Sequence, residues 1–200
     1  MPTPEPWPPA VELAGPHARL VPLAREHEPG LVEAVRDGAL WTLWATSVPA
    51  PERMGAEIER RLALRERGVM LPFTTFDAGG RIVGMTTYMN IDALHRRVEI
   101  GSTWTAASAQ RTALNTQCKL LLLQHAFEAL DCIAVEFRTH RLNLQSRRAI
   151  ERLGAQLDGI LRAHQRAADG TLRDTAVYSI VAAEWPTVRA HLRWQLQKPR

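Results

Sequence analysis

The sequence predicts a mixed α/β domain, a mainly antiparallel central sheet with flanking helices, and three observations carry that prediction. The run 97–130 (RVEIGSTWTAASAQRTALNTQCKLLLLQHAFEAL) passes from a β-branched strand at Val98–Trp104 through a polar loop at Thr105–Arg111 into a helical pattern from Ala113. In that pattern Leu114, Cys118, Leu121, Leu122, Ala126 and Leu130 recur at spacings of three, four and seven, which predicts one buried helix face. The second observation is Asp77-Ala78-Gly79-Gly80 between two apolar, β-branched arms, a hairpin signal. The third is the order of elements, which is not the regular strand–helix alternation of a doubly wound sheet.

Residues 1–10 (MPTPEPWPPA) hold five prolines, which forbid an interior strand or helix and predict an extended arm ahead of a single domain over 11–200. Trp7 is a candidate to dock on a neighbour. VELAGPHARLVPL alternates around Gly15 and Pro16 and reads as two short strands. Helices follow over 24–38, with Leu31, Val32 and Val35 on one face, and over 52–67, with Met54, Ile58 and Leu62 inward and Gly68 as the stop. Between them, Trp41 and Trp44 form either one wall of a substrate pocket or ordinary core.

The hairpin arms are 69–76 and 81–90, and a further strand, 97–104, enters the loop. After the long helix come a strand at 133–139, a short helix begun by Asn143 and stopped by Gly154, and a second hairpin, 156–166 with 173–181, turning at Ala168-Asp169-Gly170. A final amphipathic helix, 184–197, accepts Pro186 in its first turn.

The 200 residues are 46% hydrophobic with net charge +4, enough apolar content for one core. A pI near 9.7 suits a polyanionic ligand, yet there is no basic run with interleaved aromatics, so nucleic acid is not expected as a partner. Cys118 and Cys132 do not form a metal pattern, and Cys118, on the apolar helix face, reads as a buried thiol ahead of a nucleophile. With no apolar run of transmembrane length and no signal peptide in view, the expected location is cytoplasmic, away from membranes. Trp185, Trp194 and the arm offer apolar surface for a homodimer contact.

Gln110–Thr116 (QRTALNT) sits where a loop meets a helix start, a natural phosphate site because several backbone N–H groups and the positive dipole end converge there. This stretch resembles the pyrophosphate-binding motif of the GCN5-related N-acetyltransferases (Gln or Arg, two residues, Gly, one residue, Gly or Ala). Gln110 takes the first position, Ala113 the first glycine position and Asn115 the last. Phe137–Ala155 (FRTHRLNLQSRRAIERLGA), with Asn143, Ser146, Ala149-Ile150 and Leu153-Gly154, resembles the segment after the fifth strand of the same family, nearest to its ribosomal-protein N-terminal acetyltransferase branch. The resemblance spans residues 11–192.

The resemblance implies an acetyl-CoA co-substrate in a cleft between two splayed strands and direct transfer of the acetyl group to a primary amine, either a protein N-terminus or a small molecule. It places the pyrophosphate on N–H groups of Arg111, Thr112, Ala113, Leu114, Asn115 and Thr116, and the pantetheine arm along Ile100, Ser102 and Trp104. If the backbone at Ala113 needs positive φ, the alanine is strained there. Arg111 either adds charge to the phosphates or faces solvent. Asn143 and Ser146 are ordinary helix-start residues, to which the family adds a cofactor hydrogen bond from Asn143 and protonation of the leaving thiolate by Ser146. The branch's basic Glu corresponds here to Gln165, which takes no proton. His164 beside it and Glu99 on the cofactor strand are the candidate bases, and strand alternation lets only one of 164 and 165 face the cleft. A solvated or ion-paired surface Glu is the other reading of Glu99. An acyl-CoA-binding but catalytically silent module is the alternative function.

Overall fold

The computed structural model describes residues 7–44, 46–167 and 169–198. Most of the expected arm (1–6) and Ala168 of the second hairpin turn lie outside the described residues. Trp7 packs on the chain's own core with the Arg96 guanidinium over its ring.

In chain order the elements are β1 (Leu13–Gly15), β2 (Ala18–Pro22), α1 (Glu28–Arg36), α2 (Met54–Glu66), β3 (Met70–Asp77), β4 (Ile82–Asp92), β5 (Arg97–Thr105), α3 (Leu114–Gln124), β6 (Ala134–His140), α4 (Leu144–Glu151), β7 (Gln156–Arg166), β8 (Leu172–Val181) and α5 (Trp185–Gln197). They build one eight-stranded sheet in the order β1-β2-β3-β4-β5-β6-β8-β7. Every neighbouring pair is antiparallel except β5 with β6. The mixed, mainly antiparallel architecture read from the sequence is the one observed.

Local chemistry explains the punctuation. Asp77 Oδ1 accepts the N–H groups of Gly79 and Arg81, and Gly80 adopts φ +82°, so Asp-Ala-Gly-Gly closes the β3–β4 hairpin. Gly68 (φ +70°) ends α2. Asn143 caps α4, its Oδ1 accepting the Ser146 N–H at 3.0 Å.

Alternation along β4 shows which helices cover which face. Thr87 receives a hydrogen bond from Arg61 of α2 (2.7 Å), whereas the next residue, Tyr88, donates its hydroxyl to the Leu122 carbonyl of α3 (2.5 Å). Since successive strand side chains point to opposite faces, α2, with α1 packed against it, and α3 cover opposite sides of the sheet. With both faces covered, β4 carries a continuous buried run from Val83 to Tyr88 instead of an alternating one.

The helix after the loop differs from its expected form. Leu121 is only half-buried, whereas Leu120 and Leu123 are buried, and so are Thr116, Gln117 and Lys119. Wedged between the sheet, β1–β2 and α5, α3 is buried on most sides rather than on one stripe. It also ends at Gln124 in a π-turn over His125–Ala129, which carries Ala126 and Leu130 into the core.

Candidate active site

The parallel pairing of β5 and β6 lasts only three residues: Arg97↔Ala134, Val98↔Val135 and Glu99↔Glu136. Beyond Glu99 the two strands diverge, β5 running on to Thr105 beside β4 and β6 to His140 beside β8. The gap opens a cleft of about 1390 Å³, with the facing edges of both strands along its walls. On β5 a bulge interrupts the pairing with β4 between Met85 and Thr87, and Ser102 sits at φ +48° within it. Ile100, Ser102 and Trp104 all line the cleft.

At the end of β5 the chain turns into α3. Gln110 spends its side chain on the loop, donating Nε2–H to the Thr105 carbonyl at 2.8 Å. Thr112 Oγ1 accepts the Leu114 N–H at 3.2 Å, so that donor is engaged by a side chain and Leu114 itself is turned into the core. Gln117 N–H bonds back to the Ala113 carbonyl, which leaves Asn115 and Thr116 in the open first turn. Ala113 has φ −67°, so no left-handed strain attends the missing glycine; the left-handed residue of this loop is Arg111, at φ +58°. Gln110, Arg111, Thr112, Asn115 and Thr116 line the cleft, whereas Ala113 and Leu114 do not. Thr116 Oγ1 accepts from Arg152, which also donates to Gln195 of α5 and so ties α4 to α3 beside the cleft.

On the opposite face of the sheet, Glu99 is 5% exposed. Its Oε2 accepts from Asn90 Nδ2 at 2.6 Å and lies 3.6 Å from Arg138 Nε. Burial raises its carboxyl above the usual range, against the pull of Asn90 and Arg138. This is a buried, held carboxylate at the fork of the two strands, not the solvated surface Glu of the other reading. Ser146 and Asn143 line the cleft from α4.

His164 and Gln165 both line the cleft, contrary to the alternation expected of neighbours on a strand. The physical reason is an irregularity in the β7–β8 pairing between Leu161 and Gln165, with Ala163 at φ +47° and its N–H bound to Asp174. His164 Nδ1 lies 3.1 Å from Thr175 Oγ1. Of the two tryptophans, Trp44 lines the cleft, its ring edge-on to His140 with centroids 5.0 Å apart, whereas Trp41 does not. Burial pushes the Cys118 thiol up to about 12, so it stays protonated at neutral pH and is a packing residue. Among the described residues no cluster of three or more metal-ligating side chains forms, and no helix is long and apolar enough to cross a membrane.

Sequence reasoning missed Asn90, Lys119, Arg138 and Arg173, all of which line the cleft. Lys119 had a signal: it lies four residues after Asn115, on the same side of the helix, inside an otherwise apolar run. Asn90, Arg138 and Arg173 had none, because only the strand register brings them to Glu99.

Residues 17–156 match the family model described as the acetyltransferase (GNAT) domain, most of the chain. This chain belongs to the GNAT acetyltransferase family. The acetyltransferases of this family use acetyl-CoA as donor. A curated relative, provisionally named ribosomal N-acetyltransferase YdaF, from Bacillus subtilis (strain 168), is 30% identical over 106 residues, covering 53% of this chain and 57% of its own length. The chain thus aligns with little more than half of that relative. Among solved structures, a GCN5-related N-acetyltransferase from Brucella melitensis superposes with TM-score 0.85 at 28% identity, covering 97% of this chain and 89% of that one. A provisionally named acetyltransferase from T. thermophilus gives 0.81 at 31%, covering 98% and 99%.

Proposed function

We propose that this GNAT chain transfers an acetyl group from acetyl-CoA directly to a primary amine, with a protein N-terminus as the first candidate acceptor. The observation that carries the reading is the fork at Glu99 and Glu136: two parallel strands stop sharing hydrogen bonds there, and the gap leads to an open helix start. The unpaired backbone edge of β5 suits the amides of a pantetheine arm, and the first turn of α3 with Arg111 suits the pyrophosphate. The name of the Bacillus subtilis relative supports a protein amine as acceptor.

Within that frame Glu99 is the base. Its carboxylate takes a proton from the acceptor ammonium as the nitrogen attacks the thioester carbonyl, forming the C–N bond. The tetrahedral centre collapses with loss of the C–S bond; the leaving thiolate takes its proton from the Ser146 hydroxyl, and the serine oxygen regains one from the extra proton that the new amide nitrogen sheds. His164 is the second candidate base, held beside Thr175. Alignment of amine and thioester in one cleft supplies much of the rate, since orientation alone is worth ~7 kcal/mol or more.

Calorimetric titration of the purified protein with acetyl-CoA, with CoA and dephospho-CoA as controls, tests the donor. Acetylation of N-terminal peptides followed by mass spectrometry tests the acceptor. Saturable binding with turnover is the expected result. Binding without turnover on any amine would leave the silent acyl-CoA module, and no binding at millimolar donor would sink both.

A further inference from the structure

Strand register puts a set of charges on the face of the sheet opposite α3. Glu99 faces Glu136 across β5 and β6; Arg138 and His140 follow Glu136 at intervals of two; and His140↔Thr175 places Thr175 and Arg173 of β8 on that same face. Most of these charges are already matched. Arg138 Nη2 donates to Glu136 at 2.8 Å, and Glu99 is held by Asn90.

Arg173 is the exception. Its buried Nε has no hydrogen-bond partner among the described residues, yet the side chain lines the cleft and its charge is felt by both Glu99 and His140. A guanidinium is a planar fork of donors whose natural counterpart is a carboxylate taken bidentately. In the acetyl-transfer reading the phosphates of the donor take the start of α3, which packs on the face of the sheet opposite Arg173.

We infer that the acceptor is a primary amine carrying a carboxylate close by, with Arg173 receiving the carboxylate while Glu99 receives the amine. This rests on the acetyl-transfer reading above and narrows its acceptor. The shared chemistry has two sources: a peptide N-terminus followed by an acidic residue, or a small amino acid with its own carboxylate.

Three probes separate them: the tetrapeptide amide Ala-Glu-Ala-Ala, its uncharged isostere Ala-Gln-Ala-Ala, and free β-alanine. Each is titrated against the CoA-saturated protein by calorimetry and assayed with acetyl-CoA. Wild type should bind one carboxylate-bearing probe at least tenfold more tightly than the uncharged peptide, with the difference expressed in KM rather than kcat; which probe wins identifies the source. In Arg173→Gln the preference should fall to about one while acetyl-CoA affinity stays within twofold, and Arg173→Lys should restore part of it. Intact donor binding with no preference for a carboxylate, or a preference that survives Arg173→Gln, overturns the inference and leaves the acetyl-transfer reading standing. Failure of donor binding would instead strike that reading itself.

Discussion

At the scale of single residues, two buried ionisable groups make opposite statements about pH. Burial raises Glu99, so its basic form is reached only as pH climbs through the raised value. The rate should therefore fall on the acid side, and Glu99→Gln should lower kcat/KM by about 10²–10⁴-fold and abolish that acid limb. Folded Glu99 holds its proton more firmly than the unfolded chain does, so its ionisation weakens the fold as pH rises between the two values. Glu99→Gln should then keep or raise Tm at neutral pH while activity drops, a combination that a misfolded variant would not give. Lys119 behaves inversely. It is 6% exposed, donates to Thr103 and Thr86 at 2.9 and 3.3 Å, and burial lowers it from 10.5 to about 8. The unfolded chain binds the extra proton between those values, so stability should rise as pH goes from about 8 to 10.5, and Lys119→Met should flatten that rise in a Tm–pH series. Gln110 and Thr112 illustrate what pattern cannot separate: both residues line the cleft, and their side chains also hold the loop together.

Among the elements, the β4–β5 pair sets the shape of the cleft wall, and two glycines on it should fail in different ways. A Cβ on Gly84 would come within 2.1 Å of the Trp104 carbonyl oxygen, a backbone atom that moves only if the strands part. Gly84→Ala should cost about 1–3 kcal/mol in denaturant unfolding. A Cβ on Gly101 would meet the Glu99 carboxylate and the Met89 sulfur at 2.7 Å, side-chain atoms and not backbone. Gly101→Ala should therefore lower the unfolding midpoint less than Gly84→Ala and reduce turnover by displacing the Glu99 carboxylate. Element positions were legible because turn chemistry is local: Asp77 to Gly80, Gly68 and Asn143 act on their own backbone, and each sits where the sequence puts it. Bulges were not legible. The irregularity that brings both His164 and Gln165 to the cleft depends on Asp174 capturing the Ala163 N–H across the hairpin, and nothing within 161–165 announces it.

At the scale of the whole molecule, the likeness to solved acetyltransferases extends over nearly the full chain. The strand–loop–helix at 97–130 and the segment at 137–155 were enough to find that fold, because they hold β5, α3, β6 and α4, the elements on either side of the fork. Residues joined to the site only by the long-range order β5-β6-β8, such as Arg138 and Arg173, were beyond reach of any local pattern. A ligand spanning the cleft should stabilise the whole chain by mass action, about 2.7 kcal/mol at a hundredfold excess over Kd, seen as a concentration-dependent rise in Tm. The fork also has a kinetic signature. Amides of Arg97–Glu99 sit in a ladder on both sides, whereas those from Ile100 onward lack β6 as a neighbour, so deuterium uptake should change abruptly at Glu99. A bound pantetheine would take the place of a missing strand, and its arrival should be recorded as slowed exchange along Ile100–Thr105, with the three paired residues before the fork barely altered.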